Sequence, residues 1–491
     1  MKYAACSAIF RRSVALLSVI LSAVGFAATA AAEGRAVVCP APAGETLCPD
    51  YRVSVAGKDV PVYVARVAPA DAARRWKAMD DKKNSADYYD TAAFASFDME
   101  GAVTVTVTVS NAVIAAKVLP ASAGITPEIK GNSISFVVKS PRNLTVEING
   151  EWVRSLMLFA NPLETDVPRA GDPNVIYFGP GVHEVSRLVV GDNKTVYVAA
   201  GAVVRAVIAP AEKSGVSGYS GLRTYPPSFE LRGTNIAFRG RGIIDATGCT
   251  THARNLLYVH GADIRIEGVI LRDASTWTIP IRQSDRVTVR NVKLLGYRAN
   301  SDGIDICNSC DVTVEHCFIR TLDDLIVVKA DQGQGEVKRI VARDCLLWNQ
   351  VAHALSVGAE LRENVDDVLF TDCDVIHDQG REWSLRVYHC DAARISNIRF
   401  ENIRIEEAHK CISLWIGHAV WSRDQEPGHI QGVTCKDITA AGSPLAVELV
   451  GADAQHAVED VTFENVVLNG KPLTRDAGKA NAAVKNVVVR P

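Results

Sequence analysis

"VTVRNVKLLGYRANSDGIDICNSCDVTVEHCFI" runs from Val287 to Ile319 and begins and ends on the same pattern. "VTVRNVKL" starts at Val287 and "VTVEHCFI" at Val312. Each has alternating apolar residues, a polar pair and a second apolar run. Kindred segments start at Ile264, Ile340, Val368, Ile398, Val433 and Val461, in steps of 23 to 35 residues. A third apolar run, such as Gly303–Ile306 or Leu325–Val328, usually follows. Helical periodicity is nearly absent, and three short strands per turn of about 25 residues describe a parallel β-helix. Each coil stacks on the last at about 4.8 Å, with inward residues forming one continuous core. The polar pairs belong at bends, and the uneven steps mean loops inserted there. Looser first turns are read in Val175–Val185, Thr195–Val204 and Asn235–Gly248.

Residues 33–167 lack the repeat. "YRVSVAG", "VPVYVARV", "AVTVTVTVS", "SISFVVKS" and "LTVEING" alternate between Gly, Pro, Asn and Lys breaks, as in an antiparallel β-sandwich. "DAARRWKAMDDKKNSADYY" interrupts them as a loop or short helix. The expected organisation is all-β: a sandwich over 33–167, then the β-helix over 168–491, with the junction near the Pro- and Asp-rich Asn161–Asn174. The sandwich is expected to cap the open end of the β-helix or to bind carbohydrate.

Residues 1–32 carry Lys2, Arg11 and Arg12, an apolar run from Ser13 to Ala27, and Ala30 and Ala32 before Glu33. This is the pattern of a cleaved secretory leader, with a signal anchor as the alternative, and it predicts a secreted or periplasmic protein. Without the leader the chain stands at −6, since three of the 53 basic and none of the 56 acidic residues leave with it. No basic nucleic-acid patch and no later membrane span is seen. Eleven cysteines remain. Cys39 and Cys48 bracket a Pro/Gly loop and are expected to form a disulfide. Cys307 and Cys310 have the Cys-x-x-Cys spacing, but no second pair follows to complete a zinc site.

The opening stretch and its continuation to Ala330 hold Asp302, Asp305, Asp311, Glu315, Asp323 and Asp324 among apolar residues. Asp302 lies 21 and 22 residues before the Asp323–Asp324 pair, about one coil, so the three should be neighbours. Strand alternation turns Asp305 outward, groups Asp323 with Lys329, and leaves Asp311 and Glu315 as bend and surface residues. Such a cluster serves three ends: glycoside hydrolysis, calcium binding, or a solvated exterior ladder.

"STWTIP" (Ser275–Pro280), "NSDGID" (Asn300–Asp305), the Asp pair, "AHALSVG" (Ala352–Gly358) and "LRV" (Leu385–Val387) occur in an order that resembles the polygalacturonases, glycoside hydrolase family 28. "GRGIIDATG" (Gly240–Gly248) resembles an early motif of that family, and the likeness covers about 235–402. It implies a right-handed parallel β-helix and metal-independent, cofactor-free hydrolysis that inverts the anomeric centre. By the resemblance, Asp323 is the general acid, Asp302 and Asp324 activate water, and acid and base stand about 6.5–9.5 Å apart. His353 would hydrogen-bond the acid and keep it protonated. Asn300 would contact sugar or orient Asp302, and Trp277 would stack on a sugar face. Arg386, Tyr388 and Lys329 complete the expected substrate contacts.

The chain departs from the family where Gly-His-Gly becomes Ala352-His353-Ala354, and where the carboxylate-binding Arg-Ile-Lys becomes Arg386-Val387-Tyr388. Losing the second cation argues for a neutral, hydroxyl-rich sugar. "SPRNLTVEINGE" and "FANPLE" ahead of the junction are similar to the dextranase–isopullulanase family, glycoside hydrolase family 49, which implies α-glucan hydrolysis as an alternative. A calcium-dependent polysaccharide lyase and a non-catalytic adhesin are the other classes. Trp415, His418, Trp421 and His429 lie in one insertion expected to close an end of the cleft. The expected partner is a polysaccharide or oligosaccharide.

Overall fold

The computed structural model describes residues 34–475 and 478–491; the leader expected over 1–32 lies outside them. From Val175 onward, thirty strands among the described residues form one coiled, mostly parallel sheet. Successive coils pair in register: Val287 with Val312, Val312 with Ile340, Ile340 with Val368, and Val368 with Ile398. These residues are buried in one core with Ile304, Ile326, Leu355 and Leu385 from the third strand of each coil. The sequence repeat is therefore the coil repeat.

The bends explain the polar pairs. Asn291, His316, Asp344, Asp372, Asn402, Asp437 and Asn465 all sit at φ between 49° and 56°. This left-handed conformation disfavours most side chains, but Asn and Asp tolerate it by bonding locally. A second series of such bends falls within the strands that open each coil, at Asp263, Arg286, Asp311, Arg339, Asp367 and Asn397. Asp311 is thus a bend residue and pairs with Arg339, while Glu315 pairs with Arg343 one coil on. Asp311 is the exterior bend residue expected, but Glu315 is not the surface residue expected: it is largely buried, 9% exposed, between Arg290 and Arg343.

Arg35–Pro162 fold into a six-stranded and a five-stranded sheet facing each other over a shared core. The pairings are antiparallel except one: Asp90–Glu100 runs parallel to Glu151–Pro162. The helical interruption is a helix, Ala72–Asp80, capped by the Asp71 carboxylate, which accepts from Arg74 N–H.

These sheets do not cap the β-helix end as expected. They lie along its side. Val203, Ile243, Ile270, Leu295, Phe318, Leu346 and Ile376, on the second strands of successive coils, are buried against Tyr63, Phe94, Met157 and Phe159. The outward residues of the second strands are mostly apolar, with Arg272, Lys293 and Arg320 buried among them, and this face needs a cover. Buried polar contacts cross the same junction: Arg66 with Asp273 at 2.9 Å, Arg241 with Asp98 at 2.8 Å, and His377 between Glu147 (2.5 Å) and Glu407 (2.8 Å).

The expected Cys39–Cys48 disulfide is not formed; both are free thiols. Cys39 packs on Gly201 of the early coils. Cys48 packs on the sandwich core, and its N–H donates to the Val62 carbonyl at 2.8 Å. Docking along the side draws the two ends of the loop to different partners.

Candidate active site

The third strands of successive coils stack beneath the cleft, with Pro280, Lys329 and Arg386 reaching its lining. Pro280, Asp305, Val327, Ser356, Arg386, Ser413 and Glu448 are partners in successive coils. Their apolar neighbours point inward, so these residues point out, as alternation requires. At the corners leading into these strands lie Asp302, Asp323–Asp324 and His353. Backbone bonds set their stacking: Gly303 N–H donates to the Asp324 carbonyl (2.7 Å), and Leu325 N–H to that of His353 (2.9 Å). Gly303 is needed here, because a Cβ would collide with the Leu325 carbonyl oxygen.

One oxygen from each of Asp302, Asp323 and Asp324 lies within 4.8 Å of the others. The sequence spacing therefore found a real cluster. The three carboxyls line a cleft of about 870 Å³ with Trp277, Asn300, Lys329, His353, Arg386 and Tyr388. Every sequence-expected site residue outside the cysteine pair is brought to this cleft, but several contacts differ from expectation.

His353 serves Asp324 rather than the acid: its Nδ1 is 2.5 Å from Asp324 Oδ1. Asn300 holds Asp323 rather than Asp302, donating from Nδ2 to Oδ2 at 3.2 Å. Behind Asn300 stand His252 (3.1 Å) and then Ser220 (2.7 Å), a relay the sequence reading missed. Lys329 is grouped not with Asp323 but with Asp302 (3.3 Å) and Asp305 (3.1 Å). Its ammonium also lies 4.0 Å from the Trp277 ring centroid, so the lysine covers a face of the indole expected to stack on sugar.

These surroundings push the carboxyls apart in acidity. Burial, with Asp324 beside it, raises Asp323 to about 7. Burial also raises Asp305 to about 6, against the pull of Lys329. Asp302, 2% exposed, is held well above the usual carboxylate range by burial and by Asp305 and Asp323. Burial opposes the charge on Asp324 too, but His353, Lys329 and Arg386 outweigh it and hold that carboxyl below its ordinary value. Asp324 is thus the carboxyl driven toward its charged form, while half-buried Asp323 and buried Asp302 are driven toward their protonated forms.

The rim comes from segments outside the repeat. The helix Ala72–Asp80 packs Ala78 and Met79 near Ala299, Leu322 and Val351, at the corner that carries the carboxyl cluster. This places Asp80 on Arg381 (2.8 Å) and brings Lys82 to 3.7 Å from the Tyr219 ring centroid. Tyr219 meets Trp421 at 5.3 Å. The insertion expected to gather four rings divides instead. Trp421 reaches the cleft, Trp415 packs at a tilt against Tyr388 (5.3 Å), and His429 lies beside His456 (5.6 Å). His418 does not line the cleft.

A family model described as glycosyl hydrolases family 28 matches residues 235–489. An endo-polygalacturonase of Pectobacterium carotovorum subsp. carotovorum is 29% identical over 199 residues, covering 39% of this chain and 44% of the relative. The chain spans about half the length of the curated relatives it matches. A hyperthermoactive exopolygalacturonase from Thermotoga maritima has a similar structure, with a TM-score of 0.52 at 16% identity, covering 64% of this chain and 84% of that one. Dex49A from Penicillium minioluteum, with a TM-score of 0.51 at 12% identity, covers 92% of this chain and 96% of its own. These two are likenesses of fold, and the second extends over the N-terminal sheets. The family match covers the coils that carry Asp302, Asp323, Asp324, His353 and Arg386, and the chain belongs to glycosyl hydrolase family 28.

Proposed function

We propose that the protein hydrolyses glycosidic bonds of a pectic polysaccharide with inversion, using Asp323 as general acid and Asp302 and Asp324 to activate water. The observation that carries this is the split between adjacent carboxyls, Asp323 up at about 7 and Asp324 held down by His353. Carboxyls whose surroundings drive their acidities apart mark an acid and a base. Asp323 gives its proton to the glycosidic oxygen as that bond breaks. Water, losing a proton to Asp324, bonds to the anomeric carbon. Asn300 fixes the acid, and Asp302, which burial and its acidic neighbours drive toward the protonated form, holds the water by hydrogen bonding while Asp324 takes the proton. Inversion rests on the family's pattern.

A lyase reading needs a strong base. Lys329 does not supply one: burial favours its neutral form, but Glu360, Asp305, Asp302 and Asp324 outweigh that and keep it charged. The α-glucan alternative is favoured by one observation, Tyr388 standing in place of the second cation beside Arg386. The test is Asp323→Asn, which keeps the shape and removes the proton. Reducing-end release from pectic polymers should fall by about two to four orders of magnitude. In the unsubstituted enzyme kcat/KM should decline as pH rises through about 7, where Asp323 ionises. Full activity in Asp323→Asn would defeat the assignment.

A further inference from the structure

The arginine left from the family's cation pair is already occupied. Arg386 is 8% exposed, and its Nη1 donates to Glu382 Oε2 at 2.9 Å while lying 3.2 Å from His353 Nε2. The Tyr388 ring covers its face, 3.8 Å from Cζ. Nε is buried without a protein partner. Glu382 remains partly exposed and lines the cleft. We propose that the sugar seated against Arg386 is uncharged, because the protein supplies through Glu382 the carboxylate that the arginine would otherwise take from substrate. This rests on the hydrolase reading above.

The neighbouring charges agree. Lys329, the next cation along the floor, is engaged by Asp302 and Asp305, with Glu360 at 4.0 Å. Arg381 is paired with Asp80. This part of the cleft therefore offers two glutamates and, among the described residues, no cation without an acidic partner. A substrate carboxylate placed on Arg386 would meet Glu382, and like charges at that range reject the wrong ligand more effectively than a missing contact does. An uncharged sugar meets no such penalty. Its hydroxyls can donate to Glu382, and its apolar face can rest on Tyr388. Lys82 and Arg423, cations of the cleft with no acidic partner among the described residues, lie instead at the Tyr219–Trp421 wall.

The test reads binding apart from turnover. A trisaccharide of α-1,4-linked galacturonic acid and the same trisaccharide with its carboxyls reduced to alcohols are titrated into the Asp323→Asn protein, followed by tryptophan fluorescence. The reduced ligand should bind about tenfold tighter or more, as expected for a site that rejects by charge. Adding Glu382→Gln should erase or reverse that preference, since Arg386 is then free to pair with a carboxylate. Equal or tighter binding of the acid form, a preference unmoved by Glu382→Gln, or no binding of either ligand at millimolar concentration would overturn the proposal. If the preference holds but the unsubstituted enzyme releases no reducing ends from any polymer, the hydrolase reading fails and the charge reading stands. If polymers are hydrolysed but the preference is absent, the charge reading fails and the hydrolase reading stands.

Discussion

Lys329→Met should destabilise the protein in a way that depends on pH, and the structure sets the size. Methionine keeps most of the stem against Trp277 and removes the ammonium lying 3.1 Å from Asp305 and 3.3 Å from Asp302. Asp305 is fully buried and titrates near 6 with the lysine present, against an ordinary 3.8. A folded-state value above the unfolded one means that the folded protein binds more protons, so stability falls as pH rises between the two values. At pH 8 this already costs about 3 kcal/mol, from roughly two units at 1.36 kcal/mol each. Without Lys329 the carboxyl stays protonated to higher pH, and the cost keeps growing by about 1.4 kcal/mol per pH unit above 6. The variant should therefore lose about 3 kcal/mol more than the unsubstituted protein at pH 8, and almost nothing through this group at pH 5. Urea unfolding of both proteins at pH 5, 6, 7 and 8 measures the difference directly. A loss that is constant across pH would mean that packing dominates, and a loss that shrinks with rising pH would refute the charge reasoning.

Two further outcomes follow from the junction and the rim. Burial favours neutral His377, but its bonds to Glu147 and Glu407 outweigh this and raise it above its ordinary 6.5. Its contribution is complete below that value and is lost as pH rises through the higher folded one. His377→Leu should therefore cost about 3 kcal/mol at pH 6 and clearly less at pH 9 by thermal or urea unfolding; an equal cost at both would contradict the ion-pair account. Trp421→Ala removes the ring that meets Tyr219 across the rim. Early products resolved by size should shift toward longer oligosaccharides as the wall opens, and an unchanged distribution would show that the wall does not limit chain entry.

The β-helix was legible because each coil repeats the same three needs: an alternating strand, an Asn or Asp that tolerates φ near 50°, and a second strand. The carboxyl cluster was legible because one coil of spacing stacks Asp302 on the Asp pair. Contacts within the corner were less so. Spacing puts His353 near the carboxylates, but which one it holds depends on side-chain direction at a bend, which no periodicity fixes. The side-on docking had a trace in the sequence, since "FIR" and "LLWN" are apolar on both faces of strands read as half-exposed. Lys82, Tyr219 and His252 left no such trace, whereas Glu382 lies in Arg381–Trp383, a segment the sequence marks as an inserted loop shaping the groove. They come from segments outside the repeat, and only the closed fold brings them to the cleft. The cysteine pair failed for the converse reason: a local spacing was read where distant partners decide.

The central claim concerns how the carboxyls divide the work, and the configuration of the first product tests it most directly. Proton NMR during early hydrolysis, faster than mutarotation, resolves the two anomers of the new reducing end. With water activated by Asp324 and Asp302 and the proton given by Asp323, the new end should carry the anomeric configuration opposite to that of the bond cleaved. A retained configuration would mean that one of these closely clustered carboxylates attacks the sugar itself, and would contradict the account.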